Sequence, residues 1–228
     1  MRYGDEEGGS LVARTIAIGD IHGCSLALET LLNTIQPEKS DRIITLGDYI
    51  DRGPDSCAVL DRLLALSNEC ETVFLLGNHE AMLLDAYQTE FNYSHWLYCG
   101  GDATLQSYGG SLDGIPPEHL HFVRKCQFSY ETDKHFFVHA NYVYDEPLHN
   151  QPNDVLLWEH LSADPPPPHQ SGKTAIVGHT PQGSGAILDA GHLVCIDTCC
   201  FGGGYLTAYD IDTQQIWQAD IQGTLRKA

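Results

Sequence analysis

Residues 15–23 have the sequence T-I-A-I-G-D-I-H-G, in which a short apolar run ends in a polar motif bounded by glycines. The same arrangement returns in R-I-I-T-L-G-D-Y-I-D-R-G at residues 42–53 and in T-V-F-L-L-G-N-H-E at residues 72–80. Short apolar runs bounded by polar loops are typical of buried strands. We therefore predict that each motif follows a strand. The predicted strands span residues 15–18, 42–46 and 72–76.

Predicted helices separate these strands. Leucine and isoleucine recur at helical spacing over residues 28–35, where Pro37 ends the pattern, and over residues 60–66, which Pro54 opens. A third helical stretch runs from residue 79 to about residue 87. Alternating strands and helices predict βαβ units, so the expected fold class is α/β with a parallel sheet.

The rest of the chain is organised differently. Residues 90–125 are aromatic and glycine-rich, which favours short helices and leaves open whether they form a lid. Residues 165–168 are four prolines, which we interpret as a surface spacer, with a partner-recognition segment as the alternative. We predict a polar lead-in at 1–13 and one domain over 14–228. Further candidate strands are 126–130, 135–139, 174–177, 186–188, 192–196, 206–210 and 215–218.

The composition limits the classes of partner. The chain has 228 residues, with 12 lysines and arginines against 31 acidic residues, so its formal net charge is −19. Nucleic acids and anionic membranes need a cationic footprint, and we expect neither as a primary partner. No apolar stretch approaches about 18 residues, which argues against a membrane-spanning helix. The polar start lacks the apolar core of a signal peptide, so we expect a cytoplasmic protein with its eight cysteines reduced.

The polar side chains of the three motifs are suited to metal binding. The carboxyl ends of parallel strands meet at one edge of a sheet, so the loops that carry Asp20, His22, Asp48 and Asn78 should converge. We expect Asp20 and His22, two positions apart on extended backbone, to face the same side. Oxygen and imidazole ligands without thiolate suit Mn²⁺, Fe or Zn²⁺ better than Ca²⁺.

Two histidines later in the chain complete a candidate site. His139 and His179 each follow an apolar run, in F-F-V-H-A and I-V-G-H-T. Six ligands with Asp48 shared are enough for two metal ions, which activate a bridging water for in-line displacement at phosphorus. Taken singly, each histidine would be expected to be an ordinary core or surface residue, but three successive glycine-bounded motifs favour a shared site. We expect ordinary roles for the histidines at positions 95, 119, 121, 135, 149, 169 and 192.

The motifs G-D-I-H-G, G-D-Y-I-D-R-G and G-N-H-E resemble those of the calcineurin-like metallophosphoesterases. More narrowly, they resemble the PPP-type serine/threonine phosphatases of the small bacterial and lambda-phage type, over residues 19 to about 206. The late stretches C-I-D-T and G-G-G-Y-L-T are also similar to that type, more weakly. The resemblance implies an α+β sandwich, in which two mixed β-sheets pack face to face and helices flank them.

The resemblance also implies a role for each motif residue. His79 would be the general acid for the leaving alkoxide, and Asp51 would orient its imidazole. Arg52 would bind the phosphoryl oxygens, and Asn78 and His160 complete the predicted substrate-binding set. The implied ligands are Asp20, His22 and Asp48 for one metal ion, and Asp48, Asn78, His139 and His179 for the other.

Three details separate this type from the related symmetrical dinucleoside tetraphosphatases. Those enzymes typically lack the aspartate before Arg-Gly and end the third motif in aspartate, whereas this chain has Asp51 and Glu80. The last histidine lies in G-H-T-P, as in the phage type. One detail of this chain differs from the phage type. Phage-type relatives have W-x-R, with a phosphate-binding arginine, where this chain has W-E-H at residues 158–160. We interpret His160 as a partial replacement, with a solvent-facing histidine as the alternative.

These observations predict a metal-dependent phosphomonoesterase with two Mn²⁺ ions as the expected cofactor. The expected substrate is phosphoserine or phosphothreonine in proteins, with phosphotyrosine as a further candidate. The alternatives are hydrolysis of dinucleoside polyphosphates or of small phosphorylated metabolites and, from another class, a catalytically silent binding module. The net charge of −19 disfavours a nuclease. The oligomeric state is left open.

Overall fold

Ten β-strands and seven α-helices form within residues 13–227, the part of the chain that the computed structural model describes. The predicted lead-in at 1–13 lies outside the described residues, apart from residue 13. Among the helices of 13–227, none combines the length and apolar character needed to cross a bilayer. The strands are β1 (Thr15–Ile18), β2 (Arg42–Thr45), β3 (Glu71–Phe74), β4 (Ser129–Glu131), β5 (His135–Val138), β6 (Thr174–Val177), β7 (Leu188–Asp189), β8 (Leu193–Cys195), β9 (Leu206–Asp210) and β10 (Ile216–Ala219). The helices are α1 (Ser25–Ile35), α2 (Ser56–Leu66), α3 (Asn78–Ala86), α4 (Glu90–Trp96), α5 (Asp102–Ser107), α6 (Pro117–Lys125) and α7 (Asn153–Trp158).

The strands form two five-stranded sheets. In the first sheet, of order β10-β9-β1-β2-β3, β1 and β2 run parallel with Thr15 opposite Arg42, and β2 and β3 run parallel with Arg42 opposite Glu71. In the same sheet β9 is antiparallel to both of its neighbours. The second sheet, of order β4-β5-β6-β8-β7, is parallel at its centre and antiparallel at both edges. Both sheets are mixed, so the predicted fold class is confirmed.

Alternation along each strand places an apolar core on both faces of each sheet. On β1, Ala17 packs between the two sheets, whereas Ile16 packs against α1 and α2. On β5, Phe137 packs between the sheets, and Phe136 packs on the outer side with Leu156 of α7. The two sheets therefore lie face to face between outer helices.

Several predicted boundaries in the second half of the chain are wrong. The strand predicted at 126–130 starts too early, because α6 continues to Lys125 and β4 begins at Ser129. The strand predicted at 186–188 begins at Leu188. Helix α7 has no predicted counterpart, because its 6 residues carry less than two turns of periodic pattern.

The predicted opening of the second helix by Pro54 is also wrong. Helix α2 begins at Ser56, and the side chain of Asp55 accepts a hydrogen bond from the backbone N–H of Ala58 at 2.9 Å. Aspartate is a preferred N-cap because it satisfies a backbone donor of the first turn. The short helices predicted within 90–125 are present as α4, α5 and α6, with a π-helical turn at Leu97–Gly101 between the first two.

Candidate metal centre

The loops that follow β1, β2, β3 and β6 line one cleft of about 350 Å³. Because β1, β2 and β3 are parallel, their carboxyl ends lie at the same edge of the sheet. The structure thus brings together the three glycine-bounded motifs, as predicted. His139, which follows β5, is fully buried and lies against Asn78. The cleft is lined by Asp20, His22, Asp48, Arg52, Asn78, His79, Met82, His95, Cys99, Trp158, His160, His179, Pro181 and Asp197.

Three histidines each direct one ring nitrogen into the site. The other ring nitrogen of each donates to a backbone carbonyl, which fixes the tautomer. Burial lowers the pKa of His22 and of His179 to about 3, and it also lowers the pKa of His139. The rings are therefore neutral at neutral pH, and each inward nitrogen has a lone pair to offer. The pairs are His22 Nδ1 with Ile50 O (2.9 Å), His139 Nδ1 with Leu46 O (2.8 Å) and His179 Nε2 with Trp158 O (3.2 Å).

Asp48 belongs to two groups of side chains that are able to hold a metal ion. One group is His22, Asp48 and His79, and the other is Asp48, His139 and His179, with the ligand atoms of each group within 4.8 Å of one another. Asp48 Oδ2 lies 3.4 Å from His22 Nε2, and Asp48 Oδ1 lies 3.5 Å from His139 Nε2. Because one carboxylate oxygen faces each group, Asp48 is placed to bridge two cations.

The amide oxygen of Asn78 faces acceptor atoms only. It lies 3.0 Å from His139 Nε2 and also faces His179 Nδ1 and both carboxylate oxygens of Asp48. Lone pairs that converge in this way repel one another unless a cation lies between them or the amide turns over to donate. Carboxylate, amide and imidazole donors without thiolate suit Mn²⁺, Fe or Zn²⁺. The residues present therefore fit the predicted type of metal ion.

Asp20 adds another buried carboxylate to the site. Both of its oxygens accept from the backbone N–H of His179, at 3.1 and 3.0 Å. Burial, and then repulsion from Asp197 and Asp48, raises the pKa of Asp20 well above its ordinary value. Arg52 is the one arginine or lysine among the described residues that line the cleft. Three buried carboxylates beside a single cation call for more positive charge, which divalent ions would supply.

Asp20 and His22 reach the cleft through a turn, so the predicted extended backbone is wrong. His22 has a φ of 44°, in the left-handed region, and its backbone N–H donates to Asp48 O at 2.7 Å. Gly53 of the second motif packs on this turn, where a Cβ would lie 1.8 Å from His22 O. The ligand group that contains His22 joins it to Asp48 and His79, and Asp20 is not a member of that group.

His79 and Asp51 form a buried pair beside the candidate ligands. His79 Nδ1 lies 2.7 Å from Asp51 Oδ2, whereas its Nε2 lies 4.0 Å from Asp48 Oδ2 on the side of the cleft. Burial raises the pKa of Asp51, and the hydrogen bond from His79 opposes that shift. Because Asp51 holds the Nδ1 proton, Nε2 is the ring atom that can exchange a proton with a molecule in the cleft.

Both predicted phosphate-binding side chains reach the cleft. Arg52 is exposed, its Nη1 lies 3.1 Å from His22 Nε2, and its guanidinium lies 4.9 Å from the ring centroid of Phe201. His160 stacks on His179, with 4.3 Å between the ring centroids and 24° between the planes. Arg52 and His160 therefore lie on the cleft wall, where His160 is also exposed to solvent. Its role as a partial replacement for the arginine stays a prediction.

The family of the chain follows from its sequence as a whole. The family model for calcineurin-like phosphoesterases matches residues 13–213. The chain belongs to this family. The two sheets, the three motifs and the buried histidines therefore belong to a calcineurin-like phosphoesterase.

Two curated proteins with different names are similar to parts of this phosphoesterase. Serine/threonine-protein phosphatase 2 of Escherichia coli (strain K12) is 34% identical over 148 residues, which are 62% of this chain and 65% of that protein. The symmetrical bis(5'-nucleosyl)-tetraphosphatase of Acidovorax sp. (strain JS42) is 49% identical over 70 residues, which are 30% of this chain and 24% of that protein. The phosphoesterase thus spans less than two thirds of the length of either relative.

A solved structure shows the same fold. A crystal structure provisionally identified as a diadenosine tetraphosphatase superposes with a TM-score of 0.70, covering 92% of this chain and 94% of the other. The two sequences are 21% identical, so the likeness concerns the fold alone. The predicted arrangement of two mixed sheets flanked by helices is that of this phosphoesterase and of its structural neighbour.

Several residues with contacts at the site have no functional role in the sequence analysis. Asp197 lines the cleft, and the C-I-D-T stretch that contains it was the available signal. His95, for which we expect an ordinary role, is an exposed residue that also lines the cleft. Trp96 and Thr104 lie within residues 90–125 and donate hydrogen bonds to Asp51, so this part of the segment forms a wall behind His79 and Asp51 rather than a lid.

Glu80, the last residue of the third motif, organises the backbone of the second. Its carboxylate is fully buried and accepts four backbone N–H groups. Burial, and then repulsion from Asp48, raises the pKa of Glu80 to about 8, and the hydrogen bonds oppose this because they stabilise the ionised form. The donors are Asp48 (2.8 Å) and Gly77 (3.0 Å) to Oε2, and Tyr49 (2.8 Å) and Ile50 (3.3 Å) to Oε1.

We expect Glu80→Gln to destabilise this phosphoesterase. In the glutamine variant an NH₂ group replaces one carboxylate oxygen. The two backbone N–H groups that donate to that oxygen are buried and lose their acceptor. The expected loss is about 3 kcal/mol, or a fall in Tm of about 6–12 °C for a chain of this size. Thermal denaturation measures it. Glu131→Gln is the control, because exposed Glu131 bonds to Lys173 alone and should cost less than about 1 kcal/mol. Equal Tm values for the two variants would contradict the role of Glu80.

Proposed function

We propose that this chain is a two-metal phosphomonoesterase that hydrolyses phosphoserine and phosphothreonine in proteins, with phosphotyrosine as a further substrate. The observation that carries the proposal is the contact of 2.7 Å between His79 Nδ1 and Asp51 Oδ2, which leaves Nε2 towards the cleft. Serine and threonine are poor leaving groups as alkoxides, so their phosphoesters need a proton donor at this place. An acid that is held by a buried carboxylate meets that need.

The proposed cofactor is two divalent ions, with Mn²⁺ as the metal. When bound, such ions lower the pKa of water and neutralise the charge that develops on a transferring phosphoryl group. Asp48, with one oxygen towards each ligand group, would be shared. The proposed ligands are Asp20, His22 and Asp48 on one side, and Asp48, Asn78, His139 and His179 on the other.

In the proposed reaction, residues of this chain bind the phosphoryl group and protonate the leaving oxygen. Arg52, the one permanent cation among the described residues of the cleft wall, binds the phosphoryl oxygens. Water forms the new P–O bond in line with the serine oxygen, whose bond to phosphorus breaks, and the proton that this water loses goes to the solvent, from which His79 is protonated again. The Nε2 proton of His79 goes to that departing oxygen, and Asp51 holds the imidazole in the orientation that this transfer needs.

The charge of the chain supports a protein substrate. A formal net charge of −19 repels highly anionic molecules and attracts segments with basic residues. A dinucleoside tetraphosphate carries more negative charge than a single phosphomonoester, and the described cleft wall offers it one arginine and no lysine. A phosphorylated side chain on a basic peptide suits this distribution of charge better.

A second candidate function is hydrolysis of dinucleoside tetraphosphates. It is supported by the 49% identity over 70 residues to the protein from Acidovorax, whose name describes that activity. The segment of 70 residues is a minor part of either protein, at 30% of this chain and 24% of the other. We therefore keep it as the alternative, together with hydrolysis of small phosphorylated metabolites.

A panel of substrates with Mn²⁺ supplied tests the proposal. We expect kcat/KM to be at least about tenfold higher for a phosphoserine peptide than for diadenosine tetraphosphate or glycerol phosphate. The same peptide with lysine rather than glutamate beside the phosphoserine should be the better substrate, and added salt should reduce the difference. A higher kcat/KM for the tetraphosphate or for the metabolite would contradict the proposed substrate class.

We also propose a cytoplasmic location. All eight cysteines lie in the described part of the chain, and none of them is paired there. Unpaired cysteines in this number are typical of reducing compartments.

A further inference from the structure

The carboxylate of Asp51 is held from behind by two side chains outside the glycine-bounded motifs. Trp96 Nε1 donates to Asp51 Oδ2 at 2.8 Å, and Thr104 Oγ1 donates to Asp51 Oδ1 at 2.7 Å. Asp51, Trp96 and Thr104 are each 0% exposed. Both oxygens of the carboxylate therefore have a fixed donor in addition to His79, which shares Oδ2 with Trp96.

The same wall also supports the backbone at Asp51. Asp51 and Arg52 have φ values of 71° and 68°, in the left-handed region that residues other than glycine rarely adopt. The backbone N–H of Asp51 donates to Thr104 Oγ1 at 2.8 Å, and that of Arg52 donates to Gly100 O at 3.0 Å. Such backbone persists where the surrounding structure fixes it at several points. Helices α4 and α5 and the turn between them provide those points.

The hydroxyl of Thr104 bonds to both the side chain and the backbone of Asp51. Its one hydrogen goes to Asp51 Oδ1, and its lone pairs accept from the Asp51 N–H and from Ser56 Oγ, which lies 2.9 Å away. The side chain and the main chain of Asp51 thus meet the same atom. A carboxylate held in this way cannot rotate away from His79 without breaking two hydrogen bonds.

We propose that Trp96 and Thr104 are positioning residues, which fix the Asp51 carboxylate and through it the imidazole that protonates the leaving group. This inference rests on the proposed function, since it requires a leaving group that takes a proton from His79. Neither side chain lines the cleft, so neither contacts the substrate. Their effect passes through the orientation of one carboxylate, and it should depend on how much the leaving group needs a proton.

The leaving-group dependence gives the first test. Trp96→Phe keeps an aromatic ring but removes the donor, and it should lower kcat on a phosphoserine peptide about tenfold, with KM unchanged. On p-nitrophenyl phosphate, whose leaving group hardly needs a proton, kcat should fall less than about twofold. Trp217→Phe is the matched control, because Trp217 lies on β10, an edge strand of the first sheet, and does not line the cleft, so this variant should leave both rates unchanged.

Thr104 gives a second, independent pair of variants. Thr104→Val removes the hydroxyl with little change of shape, and Thr104→Ser keeps it. We expect Thr104→Val to show the same dependence on the leaving group as Trp96→Phe, and Thr104→Ser to recover at least half of the wild-type kcat on the peptide. This pair tests the proposal even where Trp96→Phe fails to fold, which thermal denaturation shows.

A double-variant cycle separates positioning from a general structural role. In a His79→Asn background the acid is gone, so adding Trp96→Phe should change kcat less than about twofold. Equal losses on both phosphoesters, or a loss in the His79→Asn background as large as in the wild type, would overturn the positioning role. A wild-type protein that fails to hydrolyse any phosphomonoester would instead contradict the proposed function, so the two failures are distinguishable.

Discussion

Asp48→Asn is expected to weaken metal binding at two sites and to slow turnover at the same time. Asp48 is the one residue shared by both ligand groups, and each of its oxygens faces a different group. An amide has no charge and one acceptor atom fewer towards the ions. Asparagine tolerates the φ of 51° at this position, so the backbone should be preserved. We expect metal affinity to fall at least about 100-fold and kcat at least about 10³-fold.

Metal analysis and thermal denaturation measure the binding part of this prediction. The wild-type protein should hold two ions per chain after Mn²⁺ is added back to EDTA-treated protein, and its Tm should rise with Mn²⁺ because the ions bind the folded state. Asp48→Asn should show a smaller rise. Full turnover by wild-type protein shown to be free of metal would contradict the whole assignment.

Asp210→Asn is the control for this prediction. Asp210 is buried at the end of β9, and its Oδ1 accepts from the backbone N–H groups of Asp212 and Thr213. An asparagine oxygen can accept the same two bonds, so this variant should keep metal binding and activity. A loss of both in Asp210→Asn would show that burial of an amide, rather than loss of a bridging ligand, is responsible.

His79→Asn is expected to keep metal binding and to slow turnover by about 10²–10⁴-fold on a phosphoserine peptide. The physical reason is the loss of the Nε2 proton, which Asp51 presents to the cleft by holding Nδ1 at 2.7 Å. The loss should be smaller on p-nitrophenyl phosphate. Steady-state kinetics on both substrates, with metal content measured in the same preparations, checks the prediction.

Two outcomes would contradict the acid role. Equal losses on both substrates would show that His79 does not protonate the leaving group. A lowered metal content would instead place His79 among the ligands, a role that its position near His22 and Asp48 also permits. His119→Asn is the control. His119 is buried between Tyr108 and Asp61 and does not line the cleft, so this variant should affect both substrates alike.

Much of the first sheet follows from local sequence pattern. Buried strands are short apolar runs, and the three that precede the motifs lie at Thr15–Ile18, Arg42–Thr45 and Glu71–Phe74, within a few residues of prediction. Boundaries in the second half are less well predicted, because β7 and β8 have 2 and 3 residues and offer little periodicity. The six residues of α7 have the same limitation.

The convergence of the three motifs on one cleft is predictable from the sequence alone. Asp20, Asp48 and Asn78 follow strands of one parallel sheet, whose carboxyl ends meet at one edge whatever the rest of the chain does. The family is also recognisable from the sequence, because each motif is a continuous stretch of the chain. A ligand that belongs to a short motif after a strand is therefore predictable without coordinates.

The surroundings of those side chains depend on how the helices pack, which the sequence pattern does not reveal. Trp96 and Thr104 lie 45 and 53 positions from the aspartate that they contact, and nothing in the intervening sequence marks the contact. The stacking of His160 on His179 likewise joins two separate loops. Hydrogen bonds and ring contacts of this kind depend on how helices pack against a sheet, and packing leaves no periodic signal in the chain. The proposed metal ligands of the three motifs are thus a property of local sequence, whereas the orientation of the proposed catalytic acid is a property of the fold.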